Sequence, residues 1–340
     1  MLQATLPEHR KERFLHELGF NRCRCRTGPT WTGSPCVSVP RFRGVDTIWL
    51  NVSGVREGVT CLIAMFTIAA SAIAQASSST AALNPVLLDL PTGKWVKIHQ
   101  QKLEDAVTFR RQSHGGSAFD TRRGRLVLFG SDTHGANWIN SPLFFNLATL
   151  EWQQQYPADA LSSYQVTTRG IPVAGPDGDH PWAMHTFGAV TYDPVADIIV
   201  VSSFPGHMEP GRFSDSLGTL WPQVRKHPTW LLHLASGKWE PTAAEPVHFF
   251  ANATAYDVQR GVVIGFKPKG IYEFSATTRQ WRKVAEQGLL GWAGNVVFDS
   301  KSGTLIAFGD YRRSDNIVAY EPTAGKQQKM LSPGLRPSGD

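Results

Sequence analysis

Short β-rich apolar runs broken by polar turns recur from about residue 82 onward. Four segments share one order: small residues, one or two β-formers, Asp, a polar turn, then an apolar run. They are GGSAFDTRRGRLVLFG from Gly115, FGAVTYDPVADIIVVSS from Phe187, ANATAYDVQRGVVIGF from Ala251 and AGNVVFDSKSGTLIAFG from Ala293. The shared Asp falls at Asp120, Asp193, Asp257 and Asp299. Each segment predicts a β-hairpin, with Asp and Gly supplying the turn and a buried second strand following it. A second pattern alternates with the first. LLDLPTGKW, FFNLATLEW, LLHLASGKW and YEFSATTRQW place Trp95, Trp152, Trp239 and Trp281 after a strand and a short turn, and VAYEPTAGKQ carries Gln327 in the same slot. One unit therefore reads as an inner hairpin, an outer strand, a turn and a Trp-bearing outermost strand, with the Trp packing between neighbouring units.

Two signatures alternating in phase over residues 82–330 resemble the kelch repeat of β-propellers. The resemblance implies an all-β fold with four strands per blade. The slot intervals are 57, 87, 42 and 46 residues, so the second has room for an insertion or an extra blade. Five blades fit best and six is the alternative. Residues 83–95 are expected to supply outer strands of a blade completed by the other terminus, a closure that removes the exposed sheet edge.

The 340 residues include 11 Trp, which suits one Trp per repeat. The formal charge of +6 is misleading: residues 1–57 hold nine Lys/Arg against five Asp/Glu, whereas residues 77–340 hold 25 against 23. The excess base is therefore weak evidence for nucleic acid, and no nucleic-acid partner is expected. All four cysteines, Cys23, Cys25, Cys36 and Cys61, lie early, so disulfides cannot staple the repeats and an apolar core must stabilise them. His16 with Cys23, Cys25 and Cys36 matches no standard zinc spacing. Residues 58–76, GVTCLIAMFTIAASAIAQA, are apolar, uncharged and end in Ala74-Gln75-Ala76, the form that signal peptidase recognises. The apolar run is short for a membrane span. Residues 1–57 read as a non-native or disordered leader, 58–76 as a signal peptide, and 77–340 as an exported, monomeric propeller domain with no stable membrane span.

Propellers bind ligands where loops from several blades converge at one mouth, and a fold alone does not give a function. SHGG at 113–116 is followed by FGSDTHGANWINSP at 129–142, so His114 precedes one inner strand and His134 follows the next. Asp132, Asn137, Trp138 and Asn140 surround His134. DGDHPWAMH at 177–185 gives His180, Trp182 and His185 before the next inner strand, and SFPGHMEPGRF at 203–213 gives His207 and Arg212 after its partner. His248 precedes a third hairpin, and Arg312 and Arg313 lie in the last. A histidine recurring at equivalent ends of successive hairpins points to one cluster that binds substrate. Trp138 and Trp182 are either sugar-stacking platforms or blade-packing residues. His99, His227 and His233 lie near outer strands and are set aside.

Imidazoles also suit zinc or copper, but no metal and no other cofactor is assigned. The copper site of galactose oxidase, a kelch propeller, needs a Cys–Tyr cross-link, and no Cys follows Cys61. No Ser–His–Asp set, phosphate loop or dinucleotide fingerprint stands out. A glycosidase would need two facing carboxylates, for which Asp132, Asp179 and Glu209 are weak candidates.

His114 within SHGG and His134 within GSDTHG resemble the paired histidines of propeller-type polysaccharide lyases, the ulvan lyases especially. That resemblance implies cleavage of a uronic-acid glycoside by β-elimination, using His, Tyr and Arg and no cofactor. Elimination removes the proton α to the uronate carboxylate, whose charge must be neutralised as the enolate forms. A base takes that proton and an acid protonates the leaving oxygen. His114 and His134 would bind the carboxylate or supply the base, Tyr164 the acid, and Arg212 a bidentate grip. Asn137, Trp138, Asn140, His180, Trp182, His185, His207 and His248 would line the subsites of an acidic polysaccharide or oligosaccharide. The competing expectation is a non-catalytic propeller that binds glycan or protein through the same face.

Overall fold

The computed structural model describes residues 84–99, 114–131, 138–206, 209, 217–242, 247–249, 252–289, 294–310 and 313–330. All belong to one compact unit, Thr80–Asp340. The expected leader (1–57), the expected signal peptide (58–76) and the four cysteines lie outside the described residues. Among the described residues no helix is long and apolar enough to cross a membrane.

The unit is all-β, with five antiparallel sheets arranged in a propeller-like way. Four have four strands in sequence order. The first holds β1 (Gly116–Asp120), β2 (Arg125–Phe129), β3 (Leu143–Asn146) and β4 (Glu151–Gln154). The second holds β8 (Val190–Asp193), β9 (Ile198–Val201), β10 (Trp230–His233) and β11 (Lys238–Pro241). The third holds β12 (Thr254–Asp257), β13 (Val262–Lys267), β14 (Gly270–Ser275) and β15 (Gln280–Ala285). The fourth holds β16 (Asn295–Asp299), β17 (Thr304–Asp310), β18 (Arg313–Glu321) and β19 (Lys326–Met330). The fifth sheet has only three short strands: β5 (Gln165–Val166), β6 (Pro172–Ala174) and β7 (His180–Pro181). It fills the long Trp152–Trp239 interval as an insertion rather than as a further blade.

Each predicted hairpin forms around its Asp. The Asp120 Oδ1 accepts from the backbone N–H of Arg122 and Arg123, Asp193 from Val195 and Ala196, and Asp257 from Gln259 and Arg260. Asp299 accepts from the N–H of Lys301 and the hydroxyl of Ser302. The last turn residue adopts a left-handed conformation, which favours Gly. It is Gly124, Gly261 and Gly303 in three turns and Asp197, at φ 57°, in the second.

Apolar patterning reports how many neighbours a sheet has. In β9, Ile199 and Val201 pack toward the first sheet with Val127 and Phe129, while Ile198 and Val200 pack toward the third with Val263 and Phe274. The run IIVV is buried throughout because both faces are covered. In β13, Val263 faces the second sheet and Ile264 and Phe266 the fourth. By contrast β2 buries only Val127 and Phe129, and β17 only Leu305 and Ala307, the alternation of a sheet with one buried face. Phe119 on β1 and Val297 on β16 are exposed, whereas every residue of β8 is buried. The inner strands abut in the order β1, β8, β12, β16.

The Trp slot joins one sheet to the sheet before it. Trp239 packs on Phe129 of the first sheet at 4.8 Å. Trp281 donates from Nε1 to Thr229 Oγ1, which precedes β10, at 2.8 Å. Gln327 donates to the carbonyl of Gln287, beyond β15, at 3.0 Å. Trp152, in the first sheet, packs on its own neighbour Phe145 at 4.9 Å.

One expectation is overturned. Residues 83–95 contribute no strand among those described; a single helical turn, α1 (Pro85–Leu88), follows Asn84. Pro at the helix start and an Asn84 side chain that accepts from Val86 N–H favour that turn over extended chain. Asn84 ties it to the β3–β4 turn through Leu147 O and Ala148 O.

Candidate functional site: the histidine end of the sheets

Strand registers sort every loop to one of two ends. Gly116 pairs with Phe129, Val190 with Val201, and Trp230 with Val201 on its other side. Residues before the first strand, between the second and third, and after the fourth therefore share one end. The Asp turns share the other. His114, His185, His227 and His248 all sit at the first end: before β1, before β8, before β10, and between β11 and β12.

His114 and His185 are brought into face-to-face contact, with ring centroids 4.0 Å apart and planes 12° from parallel. Phe187 meets both edge-on, at 5.4 and 5.6 Å. The backbone enforces this. The His114 carbonyl accepts from the N–H groups of Thr186 and Phe187, at 2.9 and 3.1 Å. The Thr186 hydroxyl accepts from Gly116 N–H and donates to Phe129 O, both at 2.6 Å. A Cβ on Gly116 would lie 2.1 Å from Phe187 O, so only glycine permits the approach. Phe187 itself holds φ at 46°, a strained value for a large side chain. His185 is 1% exposed, so it supports His114 from beneath, and His114 is the half-buried ring of the pair.

A second pair forms between the second and third sheets. Phe204 lies 4.1 Å from the His248 ring and 5.0 Å from that of His227. Burial lowers both imidazoles below the usual histidine range. His248 falls to about 4, with Lys267 and His227 adding to the effect of burial. The signal for His227 was in the sequence, although the residue was set aside as outer-strand. It precedes β10, and a third strand begins at the end where the second one finishes.

The other expected residues serve a bracket around the three-stranded insertion. Asn140, fully buried, donates to Asp159 Oδ2 at 2.7 Å and to Pro181 O at 2.9 Å, and its Oδ1 accepts from Asp159 N–H. The His180 Nδ1 meets Asp159 Oδ2 at 2.8 Å, and its ring stacks on Tyr156 at 4.1 Å. The Tyr156 hydroxyl donates to Asn140 O and accepts from Trp239 Nε1. Trp182 is 0% exposed and donates to Val173 O at 2.8 Å, which makes it a packing residue. Tyr164 is buried beside it and donates from its hydroxyl to Trp138 O at 3.2 Å. Burial pushes that phenol well above the usual tyrosine range. Trp138 is half-buried, edge-on to Tyr164 at 6.4 Å. His233 meets Glu240 at 2.9 Å across β10 and β11, and His99 packs against Phe145 at 5.3 Å.

His134, Asp132, Asn137, His207, Arg212 and Arg312 lie outside the described residues, and so does the side chain of Arg313. Among the described residues no group of three His, Cys, Asp or Glu is placed to hold a metal ion. Compared with known proteins, the chain matches no family model and no curated sequence.

Proposed function

We propose that the chain is an exported kelch-type propeller that binds an acidic polysaccharide at the histidine end. One observation carries this reading: four histidines from successive connections share one end of the sheets, and the Asp turns occupy the other. His114 is the more exposed ring of its pair, and His185 and Phe187 pack against it. A half-buried imidazole donates well to carboxylate or sulfate oxygens, and it gains charge as pH falls. Export rests on the apolar, small-residue-terminated segment 58–76.

Binding is favoured over elimination by the state of Tyr164. Its hydroxyl is buried, committed to Trp138 O, and held protonated by burial, so it offers no exposed acid to a leaving oxygen. The test is a panel of acidic polysaccharides, each followed by calorimetry and by ultraviolet absorbance of an unsaturated uronate. Heat of binding without new absorbance supports the module. New absorbance that is lost in His114→Ala establishes the lyase instead. Neither signal with any acidic glycan overturns both.

A further inference from the structure

We propose that His227, His248 and Lys267 form a separate anion subsite, between the second and third sheets, that takes a carboxylate or sulfate group of the glycan. The inference rests on the reading that the histidine end binds acidic glycan, and it adds a second place and a second set of residues.

Three elements build the subsite. The connection before β10 supplies His227, the connection before β12 supplies His248, and the end of β13 supplies Lys267. Phe204, just after β9, lies against both rings. In each imidazole Nδ1 is buried and has no hydrogen-bond partner among the described residues. A buried, unsatisfied polar atom costs about 1–3 kcal/mol, so one on each of two rings packed on Phe204 is a standing cost that a ligand can repay. Lys267 also lines an open depression of about 410 Å³ with Pro268, Lys269 and Tyr272.

Charge fixes the sign of the ligand. Among the described residues the groups acting on His248 are Lys267 and His227, both basic, and no carboxylate acts on any of the three. Glu209, whose N–H reaches Gly206 O on the loop after Phe204, acts on neither ring. Burial also holds the Lys267 ammonium below the usual lysine range. A cation here would meet like charge and desolvated donors. An anion would supply the missing acceptor and favour the protonated imidazoles, so its binding should take up protons.

The probe is inorganic sulfate, read by the histidine ring resonances of the full chain from pH 7 down to 4. Sulfate should raise the His248 midpoint by about one unit, equivalent to about tenfold tighter binding to the protonated ring. Lys267→Met should remove most of that shift, and Lys301→Met, in an Asp turn, should leave it whole. A midpoint that sulfate does not move, or that moves equally in Lys267→Met, overturns the subsite. Oligogalacturonate separates the two ideas. If it binds in a His114-dependent way but neither sulfate nor Lys267→Met affects His248, the subsite alone fails. If no acidic glycan binds while sulfate shifts His248 through Lys267, the glycan reading fails and the anion site stands.

Discussion

At the turn end of the sheets, carboxylates meet backbone N–H groups and arginines; at the histidine end, imidazoles meet aromatic rings and one another. The first arrangement repeats. Asp120 is fully buried, caps its own turn and pairs with Arg123 and Arg125 at 3.1 and 2.9 Å. Asp257 does the same with Arg260, which reaches on to Glu273. Arg123 crosses to the second sheet and holds Asp197 by two bonds, at 2.8 and 2.6 Å. The second arrangement does not repeat: each pair of histidines sits on a different aromatic residue in a loop of different length. The turn end ties its sheets together through buried carboxylates and arginines, as a scaffold does. The histidine end gathers half-buried imidazoles among apolar rings, and two of them, His227 and His248, keep a buried Nδ1 with no partner among the described residues.

The sharpest way to break this comparison is to remove a carboxylate and a histidine in parallel. Asp120→Ala should cost about 3 kcal/mol, because it strands Arg125 and two turn N–H groups and loosens Arg123. His114→Ala should cost less than about 1 kcal/mol in the same urea titration, since its ring is a stacking partner at the surface. Equal losses would erase the distinction between scaffold and site.

Acid should dissect the two ends in separate windows. His248 is lowered from 6.5 to about 4, so the stability tied to its neutral form is complete above 6.5 and drains as pH falls from there to about 4. Allowing for its partial exposure, that loss is about 2 kcal/mol. Asp197 is held below its usual value of 3.8, first by its bonds to Arg123. Its contribution is present above 3.8 and is lost only as pH falls through its lowered value. Urea midpoints measured at pH 7, 5 and 3 should show two steps, and His248→Phe should shrink the first, of which His227, also lowered by burial, keeps a share. A single step below pH 4 in the parent chain would contradict the assignment.

Smaller effects test the turn end in detail. Asp197 stands where the other three turns have glycine, and its carboxylate compensates for the left-handed backbone by bridging two sheets. Asp197→Gly should fall within about 1 kcal/mol of the parent, relief of strain offsetting the lost pair. Asp197→Ala keeps the strain and loses the pair, so thermal melts should place it about 1–2 kcal/mol below the parent. The exposed bridge from Arg279 to Glu240 links the outer strands of the second and third sheets in the same manner. Arg279→Ala should cost about 0.2–1 kcal/mol and less in high salt.

The sequence was most legible where structure is local. Asp and the last turn residue, glycine in three turns and Asp197 in the second, stand within five residues of one another, so all four hairpins could be placed by reading alone. The Trp slots were legible because each Trp follows a fixed turn, and their reach to the preceding sheet follows from that register. Pairing across the chain was not legible. Asn140 and His180 read as loop residues of a binding face, and nothing in the spacing shows that both bond Asp159 around an insertion. Trp182 looked equally suited to stacking a sugar or filling a core, and Tyr164 to donating a proton, and their burial together makes both packing residues. His227 was passed over because three-strand topology, not proximity in sequence, returns it to the histidine end.

The central claim is that ligand meets the histidine end and leaves the turn end untouched. Backbone hydrogen exchange of the full chain, with and without an acidic oligosaccharide, tests it directly. The account predicts slowed exchange at 114–116, 183–189 and 247–249, with the Asp turns at 120–125, 193–198, 257–262 and 299–304 unchanged. Protection confined to the Asp turns, with the histidine connections unaltered, would contradict it.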